Sequence, residues 1–577
     1  MRALLRSHWV YVGLTALLAI AAAIWAIPEL RERGWFAYVG QSGPGMAPPL
    51  PTLSPDLFLF PQSAQIVLLA VGVGLLVQIY STAYLGHHPR YRSYALIIVL
   101  FLVAMIAVVG TTNLWVLLVG WEVMGVCSYL LIGHEWQTAE ARVGAAKAFL
   151  MTRVADLGLV LAILVIGQTY GTYDLMGAQP FDGDARSSTA IGLLVLVAVV
   201  GKSAQFPLHS WLPDAMPGPT PITALIHAAT MVAAGVYLAA RMFPFYADST
   251  VVLTAMAVIA GITMLMGAAF ALVQTDLKRA LAWSTVSQLA LMLAAIAAAD
   301  PEAGLDHLVS HGVFKALLFL GCGCLMHAVG SSALSAMGGL RGSLPVTFWT
   351  MTIGFAALAG IVPTVGFFTK DSVLHAVEQA TDGDGGLAGA TAYALLGAVL
   401  LTSLITAAYA TRLWLLAFFG DAPADRPAHD APIAMTGPLV VLAVAVFALS
   451  IGQPLHLGVG VVSTLVSAAG VGIVLIVRHR GSSLDRAPAP LATELGLDRP
   501  FSRWIPQLAA VVSRTVVDLD RDAVDVYPRS GASGAGLGSR ALGLVQSRNV
   551  QRYVTIAAAG VVVLVVIGVS TGQGVGS

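Results

Sequence analysis

An all-α polytopic membrane protein is the fold class this chain predicts, and three observations carry it. Hydrophobic residues fill 57% of the 577 positions and charged residues only 10%, with a mean hydropathy of +0.82; a soluble domain of this size carries far more charge. The apolar residues fall in runs of about 20, the length an α-helix needs to cross the hydrocarbon. Those runs lack the alternation of barrel strands and are too long for them, so the other architecture that satisfies its backbone in lipid is excluded.

Taken in order, the runs predict about fifteen spans, near 8–27, 61–85, 92–110, 113–133, 146–167, 190–208, 221–241, 250–273, 279–298, 303–329, 344–378, 388–419, 432–452, 455–478 and 551–571. No signal peptide is expected before the first; Arg2 and Arg6 simply flank it. Arg90, Arg92, Arg142, Lys147, Lys278, Arg279, Arg341, Arg426, Arg478 and Arg480 fall in alternate loops, while Asp182, Asp184, Asp300, Glu302, Asp382 and Asp384 fall in the others. The positive-inside rule then places the N-terminus in the cytoplasm and the C-terminus outside.

Residues 479–550 are polar and contain an amphipathic stretch from Pro500 to about Tyr527, with Trp504, Ile505, Leu508, Val511, Val512, Val516 and Val517 at helical spacing. This reads as a lateral helix on the cytoplasmic membrane face, with a disordered loop as the plainer alternative. Gly531, Gly534, Gly536 and Gly538 are expected to break the pattern near 529–539. The chain therefore divides into N-terminal spans (1–91), a five-helix unit (92–241), a second five-helix unit (250–419), two further spans (432–478), the lateral segment (479–550) and an anchoring span (551–577). An odd number of spans per unit makes the second copy run inverted, a transporter pattern.

Composition also removes some functions. Thirty basic and thirty acidic residues cancel, leaving no polycationic surface for nucleic acid. Cys127, Cys322 and Cys324 lie in apolar segments and read as packing residues rather than redox or metal groups.

Ionisable residues in the middle of spans are the functional signal, because each costs several kcal/mol in hydrocarbon and by default marks an ion path. Glu122 lies in LLVGWEVMGVCSYLL with no basic residue within ten positions, so its partner must come from another helix or it must be protonated. Lys202 precedes Pro207, which should break its span just past the lysine. His227 occupies the next span; a lone histidine there is more often a packing residue, but its company argues for a relay. His307, His311 and Lys315 recur every four residues and line one helix face. Two histidines beside a lysine make a poor zinc site, whereas imidazole one turn from an amine suits proton hopping. Lys370 and Asp371 follow a second proline, Pro363, that can break its span. Arg153 and Asp156 can pair on one face as a structural or modulating ion pair. Asp276, Lys278 and Arg279 sit at a membrane boundary where solvation alone accounts for them.

Six motifs, GWEVMGVCSYLLIG, GKSAQFPLHSWLPDAMPGPTPITALIHAATMVAAGVYL, ALVQTDLKRALAWSTVSQL, HLVSHGVFKALLFL, MGGLR and GFFTKDSVL, occur in order over roughly 61–420. Together they resemble the L subunit, or chain 5, of bacterial complex I, in the antiporter-like subunit family. The long lateral segment and final anchor resemble this subunit rather than its shorter M and N relatives. The resemblance implies two inverted half-channels joined by a hydrophilic axis. Glu122 with Lys202 would form the charge pair of the first, with Arg153 and Asp156 nearby, and His227 would link toward the second. His307, His311 and Lys315 would be the central relay, and Lys370 with Asp371 the outward exit. It implies no haem, flavin, iron–sulfur cluster or metal in this chain.

Two departures from the family pattern stand out. One helix precedes the span matching 61–85 where the family usually has two, and the lateral segment is shorter and richer in glycine. The expected function is a proton-translocating subunit of NADH:quinone oxidoreductase in the bacterial inner membrane, an enzyme subunit whose redox centres lie in partners. Those partners would be the M- and N-type subunits and small membrane subunits. The alternatives are the large subunit of a multi-subunit cation/proton antiporter, the membrane subunit of a bicarbonate-uptake complex, and a purely structural anchor. The last does not account for the buried charges.

Overall fold

The computed structural model describes residues 8–29, 61–175, 177–178, 184–383, 386–387, 389–420, 429–480, 494–496, 499–521, 526–545 and 554–564. They form two units, one up to Asp498 and one from Arg499 on. Within the first, the helices are α1 (Trp9–Glu29), α2 (Pro61–Tyr84), α3 (Tyr91–Gly110), α4 (Leu114–Ile132), α5 (Ala139–Tyr170), α6 (Ala185–Lys202), α7 (Trp211–Asp214), α8 (Thr220–Ala228) and α9 (Met231–Met242). They continue as α10 (Thr250–Val273), α11 (Leu277–Ala297), α12 (Pro301–Val329), α13 (Pro345–Ala359), α14 (Val365–Thr381), α15 (Gly389–Phe418), α16 (Ile433–Ala448) and α17 (Leu457–His479). Twelve helical stretches among the described residues are long and apolar enough to cross a membrane, and three shorter apolar helices are Pro345–Ala359, Ile433–Ala448 and Val554–Leu564. Each expected span coincides with one of these, so the protein is a multi-pass membrane protein.

Polar residues cap the helices where apolar runs begin. Asn113 Oδ1 accepts from the backbone N–H groups of Trp115 and Val116 at the start of α4, Asp276 from Arg279 at α11 and Asp300 from Ala303 at α12. Each satisfies donors that the first helical turn leaves open. Burial is uneven across the bundle. The Thr220–Phe245 and Leu277–Ala297 stretches are 100% buried and Pro301–Val329 83%, against 28–61% for the other spanning stretches. The helices that carry His227, His307, His311 and Lys315 are therefore the innermost ones, with α12 packed against α8, α9, α11, α13, α14 and α16.

Two discontinuities follow the prolines. Helix α6 ends on Lys202, and 203–210, with Pro207, separate it from the short α7. Helices α13 and α14 are separated at 360–364, where Gly360 takes φ +75° and Pro363 follows; a left-handed residue closes a helix and proline cannot continue it. The peptide bonds before Pro207 and Pro363 are cis. A third break, between α8 and α9, has no proline. Thr230 leaves the helical region (φ −131°, ψ −100°), and its hydroxyl donates to Leu225 O at 2.8 Å, which also accepts from the backbone N–H of Ala229, so the side chain ties the end of α8.

The second unit contains α18 (Arg499–Leu519), α19 (Val526–Val545) and α20 (Val554–Leu564). Helix α18 falls on the expected amphipathic stretch and exposes Val511, Val512, Val516 and Val517. The expected break at the glycines is absent: α19 runs unbroken through Gly531, Gly534, Gly536 and Gly538. Each glycine costs a helix about 1 kcal/mol but removes no hydrogen bond, and Pro528 falls in the first turn, where its missing N–H is not needed. The loops holding Arg2, Arg6, Asp182 and Arg426 lie outside the described residues, as does Asp384.

Candidate functional site

Lys202 is the C-terminal residue of α6, fully buried. Its Nζ lies 3.4 Å from Asp156 Oδ2 on α5, donates to Trp121 O at 3.4 Å and sits 4.8 Å over the Trp121 ring. Trp121 Nε1 donates to the other Asp156 oxygen at 2.6 Å. A carboxylate, an indole and the negative end of a helix dipole thus surround the ammonium.

The pairing differs from both sequence expectations. Glu122 is not the partner of Lys202, and Arg153 is not the partner of Asp156; Arg153 instead pairs with Glu122. Trp121 occupies the inward side of α4 and Glu122, about 100° further round the helix, is turned to the outer edge. There its side chain is 26% exposed and that of Arg153 41%.

The central group lies across α8, α11, α12 and α14. His307 Nδ1 is 3.0 Å from Thr369 Oγ1, and its Nε2 is 3.3 Å from Gln288 Oε1. Ser310 Oγ shares a 2.8 Å hydrogen bond with the same threonine. Lys315 Nζ donates to Ser284 Oγ and to Leu281 O at 3.3 Å, with no carboxylate paired to it among the described residues. Among the described residues, neither ring nitrogen of His227 or His311 has a hydrogen-bond partner. The fields of Lys315, His307, His227 and Lys370 all reach His311. These groups form one electrostatically connected file, whereas Lys202 shares no hydrogen bond or ion pair with His227. Both nitrogens of His307 are taken by Thr369 and Gln288, so it does not face His311 as a zinc pair would. Among the described residues no cluster of three or more His, Cys, Asp or Glu has the arrangement of a metal site.

Lys370 and Asp371 separate. Lys370 donates to Leu358 O across the α13–α14 break and joins the file. Asp371 Oδ2 accepts from the backbone N–H of His456 at 3.0 Å, capping the start of α17 beside the stacked rings of His375 and His456. Adjacent residues on a helix point about 100° apart, so both cannot face one path.

A charged network at the opposite end of the bundle escaped the sequence reading. Lys147 pairs with Asp214 at 2.6 Å, Asp214 with Arg279 at 3.0 Å and Arg279 with Glu494 at 2.7 Å. Glu494 also accepts from Trp283 Nε1 at 3.0 Å. Lys278 is not solvated as expected but buried, because 211–219 fold over the start of α11 and offer it Met216 O at 2.7 Å and Gly218 O at 2.8 Å. The network joins α7, just past the Lys202 break, to α11, whose Ser284 accepts from Lys315. A double-mutant cycle with Glu494→Gln and Arg279→Gln is expected to give a coupling of about 1 kcal/mol in thermal unfolding of the purified protein; additive effects would remove the network's structural role.

A model of the transmembrane region of the NADH:quinone oxidoreductase/Mrp antiporter family matches residues 111–396, and a model of the complex I chain 5 N-terminus matches 56–95. NADH-quinone oxidoreductase subunit L of Mycobacterium tuberculosis is 43% identical over 388 residues, 66% of this chain and 60% of that protein. The alignment thus spans under two thirds of the mycobacterial relative's length. NADH-ubiquinone oxidoreductase chain 5 of Metridium senile is 36% identical over 469 residues, 77% of this chain and 76% of that protein.

The chain belongs to the complex I chain 5 family.

Among solved structures, the Mrp complex from Dietzia sp. DQ12-45-1b is similar with a TM-score of 0.64 and 25% identity, covering 98% of this chain and 63% of that one. The match to the NADH:quinone oxidoreductase/Mrp antiporter model takes in the Lys202–Asp156 site and the central file, both within 111–396.

Proposed function

We propose that the chain is a proton-translocating membrane subunit of an NADH:quinone oxidoreductase, with the redox centres in partner subunits and no cofactor of its own. The observation that carries this reading is the file of ionisable side chains, Lys315, His311, His307 and His227 in the innermost helices and Lys370 on α14 beside them, all buried within an apolar bundle. Buried groups with so few compensating partners cost stability, and in membrane spans they mark ion paths. Residues 92–241 and 250–419 serve as the two inverted halves; each has a long third helix, α5 of 32 residues and α12 of 29, and a discontinuous helix after it.

Transport rests on field coupling. A unit charge about 8 Å away at an effective dielectric of about 20 is worth about 2 kcal/mol, and moving a proton against 100 mV costs about 2.3 kcal/mol. Opening or closing the Lys202–Asp156 pair therefore changes the proton affinity of a neighbouring group by enough to drive one transfer. Roles go to Lys202 and Asp156 as the switching pair, His227, Lys315, His311 and His307 as the relay, and Lys370 at its far end. Glu122 and Arg153 adjust the pair from its outer side.

That outer pair supports a membrane partner. Half-exposed charges among Val119, Val126, Val154 and Leu157, all exposed, would be costly against lipid, and a neighbouring antiporter-like subunit covering α4 and α5 removes the cost. The basic residues in alternate loops support an N-terminus on the inner side, and the likeness to the mycobacterial subunit supports a bacterial inner-membrane location.

Affinity purification of the tagged chain from native membranes, with mass spectrometry, tests the assignment. Flavin- and iron–sulfur-bearing subunits with NADH:quinone activity are expected. Small antiporter subunits without NADH oxidation would favour the second reading, a cation/proton antiporter subunit, which the 98% coverage in the Mrp comparison supports. A soluble zinc partner would point to the bicarbonate-uptake reading.

A further inference from the structure

Beside the histidine face of α12 runs a second polar stripe that no role above uses. Glu302, Asp306 and Ser310 recur every four residues and so share a face, displaced about 100° from His307, His311 and Lys315. Asp306 and Ser310 open onto a cavity of about 390 Å³ between α2, α12, the start of α14 and the α16–α17 connection, with Gln65, Leu68, Val309 and Gln453 also in its wall. The cavity is large enough for several waters and has polar groups to bind them. It lies at the end of the bundle where α2 and α12 begin and α16 gives way to α17, the outer end in the orientation proposed above.

Asp306 has no evident structural role for its charge. It is half-buried, its carboxyl takes part in no hydrogen bond or ion pair among the described residues, and it has Glu302 and Asp300 as its charged neighbours, both of its own sign. A carboxylate held there is destabilising unless it does something. Its surroundings say what: Ser310, in the same cavity wall, bonds Thr369 Oγ1 at 2.8 Å, and Thr369 bonds His307 Nδ1 at 3.0 Å.

We propose that this cavity is the outward mouth of the proton path and that Asp306 is the carboxylate that receives the proton from His307. An imidazolium proton on His307 Nδ1 passes to Thr369 Oγ1 as the threonine gives its own proton to Ser310, and Ser310 gives its proton, through cavity water, to the Asp306 carboxylate. His307 returns to neutral imidazole, both hydroxyls end as they began, and the carboxylic acid releases its proton to the outer water. Hydroxyls relay in this way because each both donates and accepts. The turning of Asp371 toward α17 agrees with an exit elsewhere than at Lys370 and Asp371.

The inference rests on the proton-transport reading, so the test separates the two. Proton flux driven by NADH is measured in native membranes carrying the whole assembly with Asp306→Asn, Asp306→Glu or Lys202→Ala. Loss of a positioned proton acceptor should lower flux by about tenfold or more in Asp306→Asn, with Asp306→Glu restoring most of it. If Lys202→Ala is inactive while Asp306→Asn pumps at the parent rate, the exit assignment is wrong and the transport reading stands; if Lys202→Ala also pumps normally, the transport reading falls and takes the exit with it. Labelling guards against misfolding as a cause. Val309→Cys is expected to react with a membrane-impermeant methanethiosulfonate added outside, and full protection of that thiol would overturn the proposal.

Discussion

Lys202→Ala is expected to lower NADH-driven proton transport by about tenfold or more while the assembly forms and its electron-transfer subunits remain bound. The ammonium is fully buried and is met by Asp156, by Trp121 O and by the Trp121 ring, so alanine removes both the switch and the field it casts. The geometry also orders the carboxylates. Asp156→Asn should approach the lysine variant in severity, because Asp156 faces the ammonium at 3.4 Å. Glu122→Gln should be milder, because Glu122 holds the half-exposed Arg153 and touches Lys202 only through that intermediary. Acidification of inverted vesicles, with native gels to confirm assembly, measures all three. A Glu122 variant more severe than the Asp156 variant would contradict the pairing.

Lys315→Met is expected to separate function from stability. Among the described residues, Lys315 is buried without a carboxylate partner and donates to Ser284 Oγ and Leu281 O. Methionine fills similar volume with no charge, and Ser284 keeps its own bond to Leu281 O at 3.0 Å. Replacing a buried charge by a well-packed apolar residue is often neutral or stabilising by about 1–4 kcal/mol. The variant should therefore unfold at the parent temperature or above it, yet transport at least about tenfold less, since the ammonium lies one helical turn from His311 in the file. Marked destabilisation would make Lys315 a structural residue; retained transport would remove it from the path.

What the sequence makes legible follows from how each signal is encoded. Spans are local and repetitive, so each apolar run coincides with a helix, and the every-fourth spacing of His307, His311 and Lys315 reports their shared face. Partners are not local. Lys202 was expected to meet Glu122, but the rotation from Trp121 to Glu122 turns the carboxylate outward, and only packing reveals that Asp156 takes its place. Glu494 reaches Arg279 across 215 residues of chain, with no pattern to announce it. The break at Thr230 has no proline, and the glycines of α19 break nothing, since glycine weakens a helix without obstructing it. Asp306 immediately precedes the histidine motif, and its spacing with Glu302 and Ser310 marks the second stripe; the cavity it lines comes from helices distant in sequence and has no local signal.

The most direct test is the number of protons moved per NADH oxidised by the purified assembly in sealed liposomes, parent against Lys315→Met. The account requires the ratio to fall in the variant with the assembly intact. An unchanged ratio in a fully assembled variant would contradict the claim that protons cross this chain along its buried lysines and histidines.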